Sequence, residues 1–326
     1  MTRSPLPIAI AAALLLVSCL VSAAQAPKED DDTWPQRSVT LIVPFASGSP
    51  EDVFGRLLSH YLHGALRQPF EVENRPGNGG VTGVNAVATA EANGYTLLVG
   101  SIATHGIGPS LYSTPYDAAR DFEPIGLIVR QPSLLVVHPS LPSTLPELIA
   151  HAKDKRLSYG SAGAGTPTHL AAELFRQTTG TTMTHVPFRH SGEMLDALAG
   201  GQIQLAFESI PRTLPLVKEG KVRAIAVTSA ERSRTVPDIP AMAQTLPGFE
   251  FSEWVGLFAP RGTPKPIVGR LSSEISRLLN WSEVQQRFLA LGLQGSPMTS
   301  EGFAAFTEAE RKKWQAVVNA GRIKVD

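Results

Sequence analysis

The sequence predicts an α/β protein of two lobes, each a mostly parallel sheet flanked by helices. Three observations carry that expectation. After Trp34, short apolar or β-branched runs alternate with helical stretches, the pattern that builds a mainly parallel sheet. Residues 39–58 and 157–175 share one design, a strand, a loop of small residues and a helix opened by proline. Two apolar passages, at 125–138 and 249–260, are suited to carry the chain into a second sheet and back, which leaves two lobes on a hinge.

The chain opens on an export signal at residues 1–26. Arg3 supplies the positive start, residues 8–17 form an apolar core too short to span a bilayer, and Ala24-Gln25-Ala26 resembles a cleavage end. Pro27 is unfavourable directly after a cut, so Ala23 and Ala24 are alternative cleavage points. Leu16-Val17-Ser18-Cys19 also resembles a bacterial lipobox, which would make Cys19 a lipidated N-terminus. Cys19 is the only cysteine; its removal would leave no disulfide, catalytic thiol or thiolate metal site. Residues 27–33 are charged and apolar-poor, the composition of a flexible leader. Lys plus Arg and Asp plus Glu both number 29, so nothing argues for nucleic acid or an anionic membrane as partner.

In the first half, 39–45 is a buried-type strand and Ala46 to Ser49 a small-residue loop. Ser49 is an N-cap, Pro50 the first helical residue, and Asp52 closes an S-x-x-D capping box on a helix reaching Leu66. A short strand at 70–73 leads into the turn-rich 74–80 loop, a small-residue helix and a strand at 95–100 opening into the loop 101–108. In the second half a helix at 145–152 precedes strand 157–161. Ala162 to Gly165 are all small, Thr166 fits an N-cap and Pro167 the first helical turn. Strands follow at 184–188, 203–207 and 222–228, with a helix after Ser191 to about 198. C-terminal helices are expected at 267–279, 282–291 and 299–320, the last ended by Gly321. Both small-residue loops expose backbone N–H groups at the positive end of a helix dipole, an anion site that needs no charged side chain.

Motifs of catalysis are mostly missing. Gly163-Ala164-Gly165 starts a G-x-G, but Thr168 stands at the third glycine position. No Walker loop and no G-x-S-x-G elbow occurs. His60 and His63 belong to a solvated helix face, and His169, His185 and His190 suit hydrogen bonding to a carbonyl or a ligand better than metal. No cofactor and no metal are expected.

Together the runs VTLIVPF, VENRPGNGGVTG, GYTLLVGSIATH, LSYGSAGAGTPTHLAAELF, THVPF, VRAIAVTSAERS, VPDIP and WVGLFAPRGTPKPIV resemble the periplasmic solute-binding proteins of tripartite tricarboxylate transporters, the Bug family. The resemblance spans nearly all of residues 34–321. It implies a type II-like periplasmic-binding-protein clamp, with lobe 1 at 34–130 plus 254–326, lobe 2 at 131–253 and two crossover strands as hinge. It also implies a receptor, not an enzyme. Such a receptor captures a small carboxylate (a di- or tricarboxylate, an aromatic acid or an amino acid) and delivers it to membrane permease subunits. A sensor on the same clamp is the alternative, an enzyme the weaker one. A periplasmic monomer is expected.

The resemblance places the ligand carboxylate on backbone N–H groups of residues 46–50 and 161–166. The candidate ligand-binding residues are Phe45, Ala46, Ser47, Gly48, Ser49 and Asp52; Ser101, Thr104 and His105; Ser161, Ala162, Gly163, Ala164, Gly165, Thr166 and His169; and Phe188, Glu208 and Ser209. The chain departs from the family pattern at cleft edges. Ser49 replaces a glycine, Glu51 adds a negative charge, Phe188 replaces a tyrosine, His190 a glycine, Glu208-Ser209 an Asp-Asn, and Gly108 a frequent asparagine. These departures leave the clamp intact and bear on which ligand fits.

Overall fold

The computed structural model describes residues 33–325; the segment read as an export signal, Cys19 and the segment read as a leader, up to residue 32, lie outside the described residues. The first βα unit is β1 (Val39–Val43) and α1 (Pro50–Leu66), followed by β2 (Phe70–Asn74), α2 (Val81–Ala88) and β3 (Thr96–Ser101). β1 lies parallel between β2 and β3. Its core positions Val39, Leu41, Ile42 and Val43 are at most 1% exposed. That fits its reading as a strand buried on both faces.

The region after β3, expected as an open loop, is instead a π-helical turn (Ile102–Ile107) running into the short α3 (Gly108–Leu111). Thr104 Oγ1 accepts from the Ser101 N–H at 2.9 Å, which fixes the start of the turn. Apolar Ile102 and Ile107 face the core and Gly106 lies against the Trp314 indole. The packing that holds this turn comes from distant residues, so local sequence does not announce it.

β4 (Phe122–Val137) is the crossing strand. It pairs antiparallel with β9 (Ser252–Pro260) as far as Pro132↔Ser252. From Ser133 on it pairs instead with β7 (Leu205–Ser209) and, from Leu134, with β8 (Arg223–Val227). α4 (Leu145–Asp154), β5 (Leu157–Ser161), α5 (Pro167–Thr179), β6 (Met183–Pro187) and α6 (Ser191–Ala199) complete the second set with α7 (Ile210–Lys218). The continuous order is β2-β1-β3-β9-β4-β7-β5-β6, with β8 beside β4. The expectation of mostly parallel sheets is thereby refined. β1–β2, β1–β3, β5–β6 and β5–β7 are parallel, whereas every pairing of β4 and β9 is antiparallel. Parallel neighbours come from βα units, and the crossing strands run against them.

α7 is absent from the sequence reading; its segment carries Pro211 and Pro215. Pro211 falls in the first turn, where no N–H is needed, and only Pro215 lies inside the helix. The C-terminal helices are α8 (Lys265–Asn280), α9 (Ser282–Ala290) and α10 (Ser300–Gly321). Gly321 ends α10 inside the helix, and Arg322 takes the left-handed position expected for it (φ 50°). α10 packs Phe303 against Phe258 and Trp254; a Cβ at Gly256 would collide with the Phe303 ring. Burying such an aromatic ring contributes about 1.5–3 kcal/mol, so this cluster anchors the crossing strands on which the site is built.

Candidate functional site

The loop after β1 is held by Asp52, which is 3% exposed. Its carboxylate accepts from the Gly48 N–H at 2.9 Å, from Asn74 Nδ2 at 2.9 Å and from Arg56 Nε at 3.0 Å. Ser49 Oγ accepts from the Asp52 N–H at 3.2 Å, so Ser49 caps α1 as expected. The return contact of the capping box, however, goes to Gly48 rather than to Ser49. Burial alone would raise the Asp52 pKa, but Arg56, Gly48 and Asn74 together hold it down at about 2. Asp52 is thus a loop organiser whose acceptor atoms are occupied, and Asn74 joins it by also donating to the Phe45 carbonyl at 3.0 Å. Ala46, Ser47 and Gly48 are exposed, with Phe45 and Ser49 half-buried.

Glu51 occupies the mouth of the same loop. Burial raises its pKa, while its own N–H and the nearby Ser101 and Ser49 hydroxyls pull the other way. Two of the chain's own carboxylates therefore already face the positive end of α1. A narrow crevice of about 20 Å³ opens beside them, lined by Glu51, Ser101, Gln131 and Glu253 with Phe54 and Trp254 as apolar walls. That is room for about one water-sized group. Burial and the charges of Glu208 and Glu51 push the Glu253 pKa up to about 8, with Arg212 opposing them.

The loop after β5 rests on a stack of rings. His169 and His185 are parallel at 3.9 Å and Tyr159 continues the stack at 5.0 Å from His185. Tyr159 donates to Glu173 at 2.5 Å, and Glu173 is paired with Arg176. Ser161 Oγ lies 2.6 Å from His185 Nε2. Inside the loop, Ala162 N–H donates to Thr168 Oγ1, Gly163 N–H to Ser161 Oγ and Gly165 N–H to His169 Nδ1. The last bond requires neutral His169, and burial together with the charge of His185 lowers its pKa to about 4. Positive φ at Gly163 (125°) and Gly165 (75°) lets the loop fold onto these acceptors. Thr166 is the N-cap residue, but its hydroxyl donates to the Gly163 carbonyl instead of capping α5. The N–H groups of Ala164, Thr168 and His169 keep no partner among the described residues. Ala164 is exposed.

Two candidates, His105 and Thr104, lie away from any open surface. His105 sits in the core, stacked on Phe258 at 4.1 Å and edge-on to Phe122 at 5.0 Å. Burial pushes its pKa down to about 3. Thr104 is 2% exposed and serves the π-helical turn. Phe188 is half-buried and packs over Gly160. Ser209 opens α7, while Glu208 Oε1 accepts the Ser209 N–H at 2.8 Å and Oε2 has no partner among the described residues. Sequence reading passed over Gln131, Glu253 and Arg212. An acidic residue inside the apolar run of β9 was the available signal for Glu253. A larger cavity of about 790 Å³ lies elsewhere, between Arg130, Glu250, residues 229–235 and α9, and none of the candidate ligand-binding residues lines it.

Among the described residues no His, Cys, Asp and Glu cluster has the makings of a metal site, and no helix is long and apolar enough to cross a membrane. Residues 54–322 match the family described as the tripartite tricarboxylate transporter family receptor. The chain is 35% identical to protein BugT of Bordetella pertussis, over 88% of this chain and 90% of that protein. Rpa4515 of R. palustris, solved with adipate, is similar with 34% identity and a TM-score of 0.73, over 89% of this chain and 99% of its own. MatC of Rhodopseudomonas palustris, solved with bound malate, is similar with 36% identity and a TM-score of 0.68, over 87% and 100%. With the crossing strands and paired strand–loop–helix units in place, the chain belongs to the tripartite tricarboxylate transporter receptor family of periplasmic solute-binding proteins.

Proposed function

We propose that this chain is exported to the periplasm, captures a small carboxylate between two lobes and hands it to the membrane permease subunits of a tripartite tricarboxylate transporter. The lobes are taken as residues 34–130 with 254–326, and 131–253, hinged on β4 and the passage into β9. The observation that carries the reading is the group of unpartnered N–H donors at Ala164, Thr168 and His169, at the positive end of α5. A carboxylate supplies what those donors lack, and the helix dipole favours its charge. The adipate and malate held by two relatives are small carboxylates of the class proposed. The chemistry required is binding and release only, so no residue is assigned a catalytic role.

Thermal-shift screening of the purified mature chain against a panel of carboxylic acids tests this. A true ligand at about 100 times its Kd adds about 2.7 kcal/mol of stability, and at least one carboxylate should raise the melting temperature in a saturable way. Stabilisation by none of the panel would sink the receptor reading.

A further inference from the structure

We propose that His185 is a positioning residue of the receptor site, which through Ser161 and the Gly163 carbonyl turns the Ala164 N–H toward the ligand carboxylate. The inference rests on the receptor reading above and deepens it. Ser161 ends β5 and is 0% exposed. A hydroxyl has one proton to give and two lone pairs to fill. Around Ser161 Oγ stand the Gly163 carbonyl at 3.0 Å, the Gly163 N–H at 3.2 Å and His185 Nε2 at 2.6 Å. The carbonyl only accepts, so the Ser161 proton lies between the two oxygens; without it they would face each other as acceptors. Ser161 Oγ then accepts from both nitrogens. Burial keeps the His185 pKa below its ordinary value, against the charge of Glu173, and the one proton of the neutral ring sits on Nε2.

The Gly163 oxygen collects further donors. The Thr166 hydroxyl reaches it at 2.7 Å and the Thr166 N–H at 3.4 Å. In a planar trans peptide the C=O and the following N–H point in opposite directions. A Gly163 oxygen held inside the loop therefore turns the Ala164 N–H outward. Ala164 is the one exposed residue from Ser161 to Thr166, and its N–H has no partner among the described residues. Gly163 has φ 125°, a conformation that leaves this peptide free to swing unless its oxygen is tied. His185 is itself held. It lies opposite Tyr159 in the parallel β5–β6 register, with the rings stacked at 5.0 Å, and its other face covers His169 at 3.9 Å. Glu173 fixes the Tyr159 hydroxyl at 2.5 Å, and His169 Nδ1 takes the Gly165 N–H at 3.0 Å. The two stacked imidazoles thus grip the loop at Ser161 and at Gly165, with Ala164 presented between them.

Two measurements test this. Long-range proton–nitrogen NMR of the histidine-labelled mature chain, without ligand at about pH 8, separates protonated from bare imidazole nitrogens. His185 should carry its proton on Nε2, and a bare Nε2 overturns the proposal whether or not any variant folds. Calorimetric titration with succinate, malate, adipate, citrate, benzoate and glutamate then identifies the tightest acid for the parent chain. His185→Phe keeps a ring over His169 but loses the donor, and should weaken that acid about tenfold. Ser161→Ala should weaken it by a similar factor, and the double variant no further, because both act through one chain of bonds. His185→Gln returns an N–H to the same place and should recover most of the affinity, with folding checked by melting curves. Equal losses for the phenylalanine and glutamine variants, or losses that multiply in the double variant, overturn the proposal and leave the receptor reading standing. Failure of every acid to bind the parent chain overturns both.

Discussion

Asp52→Asn isolates the organiser of the first loop. The native carboxylate accepts from Gly48, Asn74 and Arg56 while almost fully buried. Its pKa falls from 3.8 to about 2, which corresponds to about 2.4 kcal/mol of stability at neutral pH. The folded pKa is depressed, so that stability is present above the unfolded value of 3.8 and is lost as pH falls toward 2. Arg56 is half exposed, and its share is screened by solvent. Against this, the asparagine turns an N–H₂ group toward donors that held an oxygen. The net expectation is a loss of about 2 kcal/mol at pH 7 in urea unfolding followed by tryptophan fluorescence. Linkage narrows the gap between variant and parent by about 1 kcal/mol at pH 3. A loss under about 0.5 kcal/mol at pH 7, or a gap that does not change with pH, would refute the reasoning.

Further outcomes are expected. Ala164→Asp places a charge about 5 Å from a carboxylate held by the loop after β5, a repulsion of about 3 kcal/mol at an effective dielectric of about 20. The variant should bind a ligand acid about a hundredfold more weakly than Ala164→Ser by calorimetry, and equal affinities would remove the anion from that loop. His105 and His169, held neutral with pKa values of about 3 and about 4 against an ordinary 6.5, should make the fold less stable as pH drops from 6.5 toward 4, because the unfolded chain gains those protons first. If His105→Phe and His169→Gln together leave that slope unchanged, the assignment fails. Small-angle scattering should show a smaller radius of gyration once a ligand is bound, as expected of a hinge on β4 and β9; binding with an unchanged radius would speak against closure.

Much of this protein is written in its local sequence. Alternation of apolar runs with capped helices fixed the α/β class, and the ends of α1 and α10 follow from Ser49, Pro50 and Thr299. Those signals act within a few residues, so they survive without tertiary context. The crossing at β4 was legible too, because a strand of 16 residues leaves an unusually long apolar run. Other features belong to the folded molecule alone. The π-helical turn is set by packing on Trp314, and His105, which reads in sequence as a cleft residue, is drawn into an aromatic core by Phe122 and Phe258. α7, with Pro211 in its first turn and Pro215 inside it, is missing from the sequence reading. Above all, Glu51, Glu208 and Glu253 lie 45 to more than 200 residues apart in the chain and share one electrostatic neighbourhood only because β4 joins β7 to β9. Burial and mutual charge are properties of neighbours in space, and no local pattern encodes which neighbours a carboxylate will have.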